Sequence, residues 1–239
     1  MDNRYKPITD YVVQHFSEHL GSRLKSIYIK GSVAREDAVW GVSDLDLVLA
    51  FENPTKEDTL VKKNVEEATK NIIGGDALVI QRIPLERLNE IDENTKLFWL
   101  YSSWYDSEVL YGEHPSTFLP ELPKKNKIAI AILSILKDEG KDINSLINLD
   151  TKTSRLVAKR ILQSIAMSLV YKGHADYIPI TQVQNYPLRE KLQQYIPYVM
   201  DVFLNPRNIT DAQKLIIAWN ITWDLINEQV SWVSYKSIE

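Results

Sequence analysis

The sequence contains no cysteine, only four histidines in 239 residues, and no continuous apolar run of the roughly 18 residues that a membrane-spanning helix needs. The first absence excludes a disulfide framework, a thiolate zinc site and a cysteine nucleophile, and it fits a reducing compartment. The opening MDNRYKPITDYVVQHF has no basic start followed by an apolar segment, so no secretory leader is expected, and the expected location is cytoplasmic. Internal repeats and low-complexity tracts are lacking too. So is excess positive charge: a formal net charge of -4 and a pI near 5.7 favour a small or cationic partner over nucleic acid. What is present is ordinary for a globular protein, 44% hydrophobic and 25% charged residues, enough chain for two small domains.

The first part reads as a small α/β unit. Ile8, Val12, Phe16 and Leu20 recur at fours behind Pro7, the spacing of one helix face. Residues 26–30 alternate as a strand, residues 45–51 form a second strand closed by Pro54, residues 55–71 are rich in helix formers, and residues 77–83 make a third strand between Gly74-Gly75 and Pro84. Residues 85–110 read as mainly helical, up to a turn at YGEHPS. Beyond Pro123 the strand signals vanish, and residues 127–138, 154–171 and 211–235 carry apolar side chains at threes and fours. The expected class is therefore α+β, a small mixed sheet in residues 1–115 followed by an all-helical bundle in residues 116–239.

The stretch GSVAREDAVWGVSDLDLVLAF carries the chemistry. Side chains two apart in a strand project to one side, so Asp44, Asp46 and Val48 share a face while Leu45, Leu47 and Leu49 share the other. Two carboxylates placed together resist ionisation unless a positive charge stands between them, and carboxylate oxygen suits Mg²⁺. A solvated edge strand would give the same alternation. Just upstream, Gly31 permits a tight turn and Ser32 stands where an N-cap belongs, ahead of VARED as a short helix whose N-terminus would bind an anion. Arg35 either assists phosphates or pairs with Glu36 or Asp37.

Gly31-Ser32, a spacer of about ten residues, and Ser43-Asp44-Leu45-Asp46 followed by apolar residues resemble the signature of the nucleotidyltransferase superfamily related to DNA polymerase beta. The resemblance covers roughly residues 5–115. It implies a third carboxylate on a neighbouring strand, for which Asp76 is the candidate as metal ligand or proton acceptor, with a turn-capping role as its alternative and Glu86 in reserve. It further implies ATP held by Gly31, Ser32, Arg35 and Ser43. With Asp44, Asp46 and Asp76 as ligands, two Mg²⁺ ions would support in-line displacement at the α-phosphate, giving a nucleotidyl ester and pyrophosphate. The sequence departs from many members in one place, where Arg35-Glu36 replaces Arg-Gly.

An α/β unit joined to a helical bundle is similar to the aminoglycoside nucleotidyltransferases, the streptomycin and spectinomycin adenylyltransferases among them. That similarity implies an aminoglycoside acceptor, an antibiotic-resistance role, and basic residues of the helical half meeting the triphosphate. Arg155, Lys159 and Arg160 are the candidates there, Arg160 foremost, against a solvated basic helix face. The other readings are modification of tRNA or of a partner protein, and a noncatalytic nucleotide-binding module.

The remaining aromatic and histidine residues have plainer readings. Trp219, Trp223 and Trp232 fill space between helices rather than stack bases, and Trp99, Tyr101 and Trp104 read first as packing. His15 and His19 are four apart, yet Phe16 stands where a zinc-protease helix needs glutamate, so they read as the polar flank of the first helix. His114 and His174 are isolated loop residues.

Overall fold

The structure is a computed structural model that describes residues 3–70, 78–140, 150–208 and 211–236. The chain divides into two compact units, Met1–Asp92 with Trp99–Glu121, and Glu93–Phe98 with Leu122–Glu239. The change of unit thus falls six residues after the expected 115/116 boundary, and the first turns of one helix are assigned to the second unit.

In the first unit, α1 (Lys6–Leu20) leads into β1 (Leu24–Lys30), β2 (Leu45–Phe51), α2 (Lys56–Thr69), β3 (Leu78–Pro84), α3 (Glu93–Tyr105) and β4 (Ser107–Gly112). The sheet order is β3-β2-β1-β4, with β2 parallel to β3 and antiparallel to β1. The sheet is therefore mixed, as expected. Its two faces separate by parity. Ile27, Ile29, Leu45, Leu47 and Leu49 join Ile8, Val12 and Phe16 of α1 and Val65 of α2 in one buried cluster. The other face carries Tyr28, whose hydroxyl is hydrogen-bonded to Ser103 of α3 at 3.0 Å. The alternation that put three leucines on one side and two aspartates on the other is what the core uses.

Two expectations about local structure are corrected. Residues 85–110 are mainly helical, a 3₁₀ turn (Leu85–Glu90) and then α3, but helix does not run on to the turn at YGEHPS: SEVLYG is the strand β4, antiparallel to β1 with a register shift between Ile27 and Tyr28. β1 would otherwise present an unpaired edge, and covering that edge decides the state of a segment whose own pattern is too short to decide it. The segment VARED is not a helix either. Arg35 N–H reaches Gly31 O at 3.0 Å, Glu36 N–H reaches Val33 O at 3.2 Å, and Asp37 N–H reaches Ser32 O at 2.9 Å. This is a single turn closed in the manner of a helix C-terminus, with Glu36 at φ 63 in the place glycine favours. The Arg-Glu departure is thus accommodated by Glu36 adopting the glycine conformation.

The second unit is helical throughout its described residues: α4 (Lys125–Gly140), α5 (Thr151–Tyr171), the short α6 (Glu190–Gln193), α7 (Ile196–Leu204) and α8 (Ala212–Lys236). α5 lies against α4, α7 and α8, and nearly every residue from Ile161 to Val170 is buried. Trp219 is fully buried and its ring meets that of Trp223 at 5.7 Å. Gly140 makes room for both, since a Cβ there would stand 2.2 Å from Trp219. Trp219 is a core side chain, as expected, and Trp223 is half-buried against it; the Trp232 side chain lies outside the described residues. No helix among the described residues is long and apolar enough to cross a membrane.

Candidate active site

The site is assembled where β1 ends and β2 begins. β1 stops at Gly31, which takes φ +74 and donates its N–H to Asp106 O at 3.1 Å. Ser32 follows, 7% exposed, at the start of the turn. Residues 39–43 then return the chain to the sheet: Ser43 N–H donates to Val39 O and Val39 N–H donates to Ser43 Oγ, both at 2.8 Å. Ser43 is buried and closes this loop, so the Asp44-Leu45-Asp46 strand start has a fixed direction.

Antiparallel register sets Asp46 opposite Lys30. Cross-strand partners project to the same face, with Cβ atoms about 5 Å apart. The carboxylate of Asp46 turns toward the glycine turn: a Cβ on Gly31 would stand 3.3 Å from Asp46 Oδ2. The two halves of the Gly-Ser and Asp-x-Asp pattern, fifteen positions apart in sequence, are therefore in direct apposition, and the missing side chain of Gly31 is what lets Asp46 approach. Asp44 and Asp46 are both half-buried. An all-oxygen pair of this kind, cradled by a glycine, fits a hard divalent cation of the Mg²⁺ type, which takes one or two protein carboxylates and completes its shell with water and substrate phosphate. Among the described residues no group of three or more histidine or acidic side chains is close enough to hold a metal. Asp76, the expected third carboxylate, lies outside the described residues, as does the Glu86 side chain.

Arg35 engages Asp37 through Nε and Nη2, at 2.9 and 3.3 Å, and Asp106 through Nη1 at 3.2 Å. Of its two readings, the pairing with Asp37 is the one observed. Asp106 was not singled out by sequence, yet its carbonyl holds Gly31 and its carboxylate holds Arg35. Lys30 was also passed over. Burial pushes its ammonium below the ordinary lysine range, while Asp46 and Asp106 pull it back up. Neither had a local signal, because Asp106 is brought to the turn by β4 and Lys30 looks like one more alternating position of a strand.

In the second unit, Arg155 is not on a solvated face. It is 7% exposed, donates from Nε to Phe203 O at 3.1 Å and lies over the Phe203 ring at 4.6 Å. Arg160 is half-buried, pairs with Glu139 at 2.6 Å and donates to Gln163 at 2.9 Å; burial lowers its pKa and Glu139 opposes that. Lys159 is half-buried beside them in sequence. Trp99 and Tyr101 are buried, at 7% and 5% exposure, and Trp104 is half-buried.

The histidine pair has a different setting. His15 Nδ1 meets Tyr11 O at 2.8 Å, and His19 Nε2 meets Asp58 Oδ1 at 2.8 Å. Both line a cavity of about 430 Å³ with Tyr11, Glu18, Val61, Asn64 and Val65, all from α1 and α2. Those helices cover the leucine face of the sheet, not the aspartate face. His114 accepts from Ser116 N–H in the turn after β4, and the His174 ring meets Tyr186 edge-on.

Residues 10–97 match the family model of the nucleotidyltransferase domain. That span contains the Gly-Ser turn and both aspartates. No curated protein matches the chain in sequence. Among solved structures, the spectinomycin adenyltransferase AAD(9) from Enterococcus faecialis, determined with ATP and spectinomycin, superposes with a TM-score of 0.65 at 15% identity, over 95% of this chain and 99% of that one. At that identity the likeness is one of fold, and it extends over both units. Residues 10–97 thus carry a match to the nucleotidyltransferase domain that includes the apposed Gly31 and Asp46, and the chain as a whole has the fold of the superposed structure, this domain followed by a helical unit.

Proposed function

We propose that the chain transfers AMP from ATP to a hydroxyl of a small cationic acceptor of the aminoglycoside class, releasing pyrophosphate. The observation that carries this reading is the approach of Asp46 to Gly31, which puts an acidic, metal-competent strand against a turn suited to phosphate. Asp44 and Asp46 hold magnesium, with Asp76 proposed as the third carboxylate and as acceptor of the proton from the attacking hydroxyl. When bound, the metal stabilises charge on the attacking and leaving oxygens of an in-line displacement. Gly31 and Ser32 receive phosphate oxygens, and Ser43 fixes the loop that delivers the aspartates. Arg35 acts with them by holding the turn to Asp106, and Arg160 meets phosphate by exchanging its pair with Glu139.

The aminoglycoside class is supported by the fold shared with a protein crystallised with ATP and spectinomycin and by the chain's net charge of -4, which favours cationic over polyanionic acceptors. The test is incubation with α-labelled ATP and Mg²⁺ and, in separate reactions, a panel of aminoglycosides and aminocyclitols, total tRNA, and cell protein. Label on a drug, with one pyrophosphate released per transfer, is expected. Label on RNA or protein alone would replace the acceptor while keeping the chemistry; ATP binding that survives both EDTA and Asp44→Ala/Asp46→Ala without any transfer would replace the chemistry with nucleotide sensing.

A further inference from the structure

Lys30 is the last residue of β1, one position before the turn, and nothing above uses it. Its partner across the sheet is Asp46 on one side and Ser107 on the other. It shares its face with Tyr28, whose side chain is fully buried, and it ends the strand one position before Gly31. The side chain is half-buried, and the two charges that act on it are Asp46 and Asp106. Those carboxylates attract the ammonium, while Asp46 turns Oδ2 toward Gly31 and Asp106 accepts from Arg35. Among the described residues, no hydrogen bond or ion pair to the Lys30 ammonium is present. An ammonium has three donors, and a partly desolvated one without acceptors is costly.

We propose that Lys30 is a phosphate ligand for the nucleotide, supplied by the sheet of the nucleotidyltransferase domain itself; this rests on the nucleotidyl-transfer reading. The charge arithmetic favours this assignment over one toward metal. A bare divalent cation entering beside Asp44 and Asp46 is repelled by the ammonium, whereas a metal–triphosphate complex carries net negative charge and is attracted. Lys30 therefore biases the site toward metal that arrives with nucleotide. A lysine suits the task because it acts as a point charge at the end of a flexible stem and does not demand the planar bidentate geometry of arginine.

The test compares Lys30→Met, which keeps the stem's length and apolar character, with Lys30→Arg, which keeps the charge. Calorimetric titration with ATP, inorganic tripolyphosphate and adenosine, each with Mg²⁺, separates phosphate contact from base contact. Free Mn²⁺ binding by electron paramagnetic resonance reports on the aspartates alone. A lost charge-assisted contact is expected to weaken ATP and tripolyphosphate binding by roughly 10- to 100-fold in Lys30→Met, leaving adenosine unaffected. Mn²⁺ binding holds or tightens, and Lys30→Arg recovers most of the lost affinity. ATP and tripolyphosphate affinities in Lys30→Met equal to those of the parent would overturn the assignment, as would equal losses for adenosine and tripolyphosphate. If Lys30→Met does not fold, Lys30→Gln carries the same comparison. Should the parent chain bind neither triphosphate with Mg²⁺, the nucleotidyl-transfer reading itself fails, a result distinct from an unchanged Lys30 variant.

Discussion

Two acidic settings in the first unit, one around Asp58 and one at Asp44 and Asp46, place the same side chain in opposite surroundings. Asp58, in the first turn of α2, is 1% exposed and is surrounded by donors: Arg23 binds it through both Nη atoms at 3.0 and 2.9 Å, His19 at 2.8 Å, and Thr55 N–H caps it at 2.7 Å. Burial alone would push its carboxyl up, but the hydrogen bonds from Arg23, Thr55 and His19 outweigh that and hold it far below the usual carboxylate range. Asp44 and Asp46 are half-buried and stand near a lysine, a glycine and a turn. A carboxylate enclosed by fixed donors locks α1, the turn that follows it (Gly21–Arg23) and the start of α2 together. A carboxylate at a half-open strand start is the kind that the proposed reaction uses to hold a metal ion with its nucleotide. Buried charge stabilises when its partners are permanent; at a site, that stability is given up for binding.

The contrast predicts that substitutions separate activity from stability. The largest effect is expected at the strand start: Asp44→Asn or Asp46→Asn lowers the transfer rate by about 10²- to 10³-fold or more. Asp44→Asn keeps or raises the unfolding temperature, because a like charge beside Asp46 is removed while the Asp46–Lys30 attraction stays. A rate within a few-fold of the parent, measured by pyrophosphate release, would break the comparison.

The reverse is expected at Asp58. Asp58→Ala leaves buried donors without an acceptor and costs about 3 kcal/mol in denaturant unfolding, while kcat and KM stay close to the parent values. Because the folded-state pKa of Asp58 is depressed, its contribution is complete above the unfolded carboxylate range and is lost as pH falls through the folded value. The stability difference between parent and Asp58→Ala should therefore be flat from about pH 5 upward and shrink below about pH 4. A difference that instead grew on acidification would contradict the assigned cause.

The smallest effect concerns the turn that joins the two halves of the motif. Glu36 sits at φ 63, so Glu36→Gly is expected to stabilise the protein by about 0.5–1 kcal/mol, the left-handed penalty exceeding the entropy that glycine adds to the unfolded chain. Equilibrium unfolding checks the sign. A destabilised variant would mean that the Glu36 side chain matters more than its backbone.

The legible part of the molecule was local in character. Three leucines and two aspartates in alternation declared the two faces of β2, and a glycine before a serine declared the turn. β4 was not legible, since SEVLYG extends a helical-looking run and becomes a strand only because β1 has an edge to fill. Arg155 read as one basic residue on a helix face, and its burial depends on Phe203, 48 positions away. The sequence could not announce Asp106 as the holder of Gly31 and Arg35, nor Asp58 as the hub of three elements.

By itself, then, the order of residues determined the class of fold, the parity of each strand and the chemical types gathered between Gly31 and Asp46, because backbone sterics and side-chain alternation act over a few residues. Tertiary structure alone decided which edge β4 completes, which arginine is buried, how near Asp46 comes to Gly31, and that Lys30 faces both Asp46 and Asp106. Those outcomes depend on distances between segments far apart in sequence, and electrostatic and packing energies are functions of distance in space.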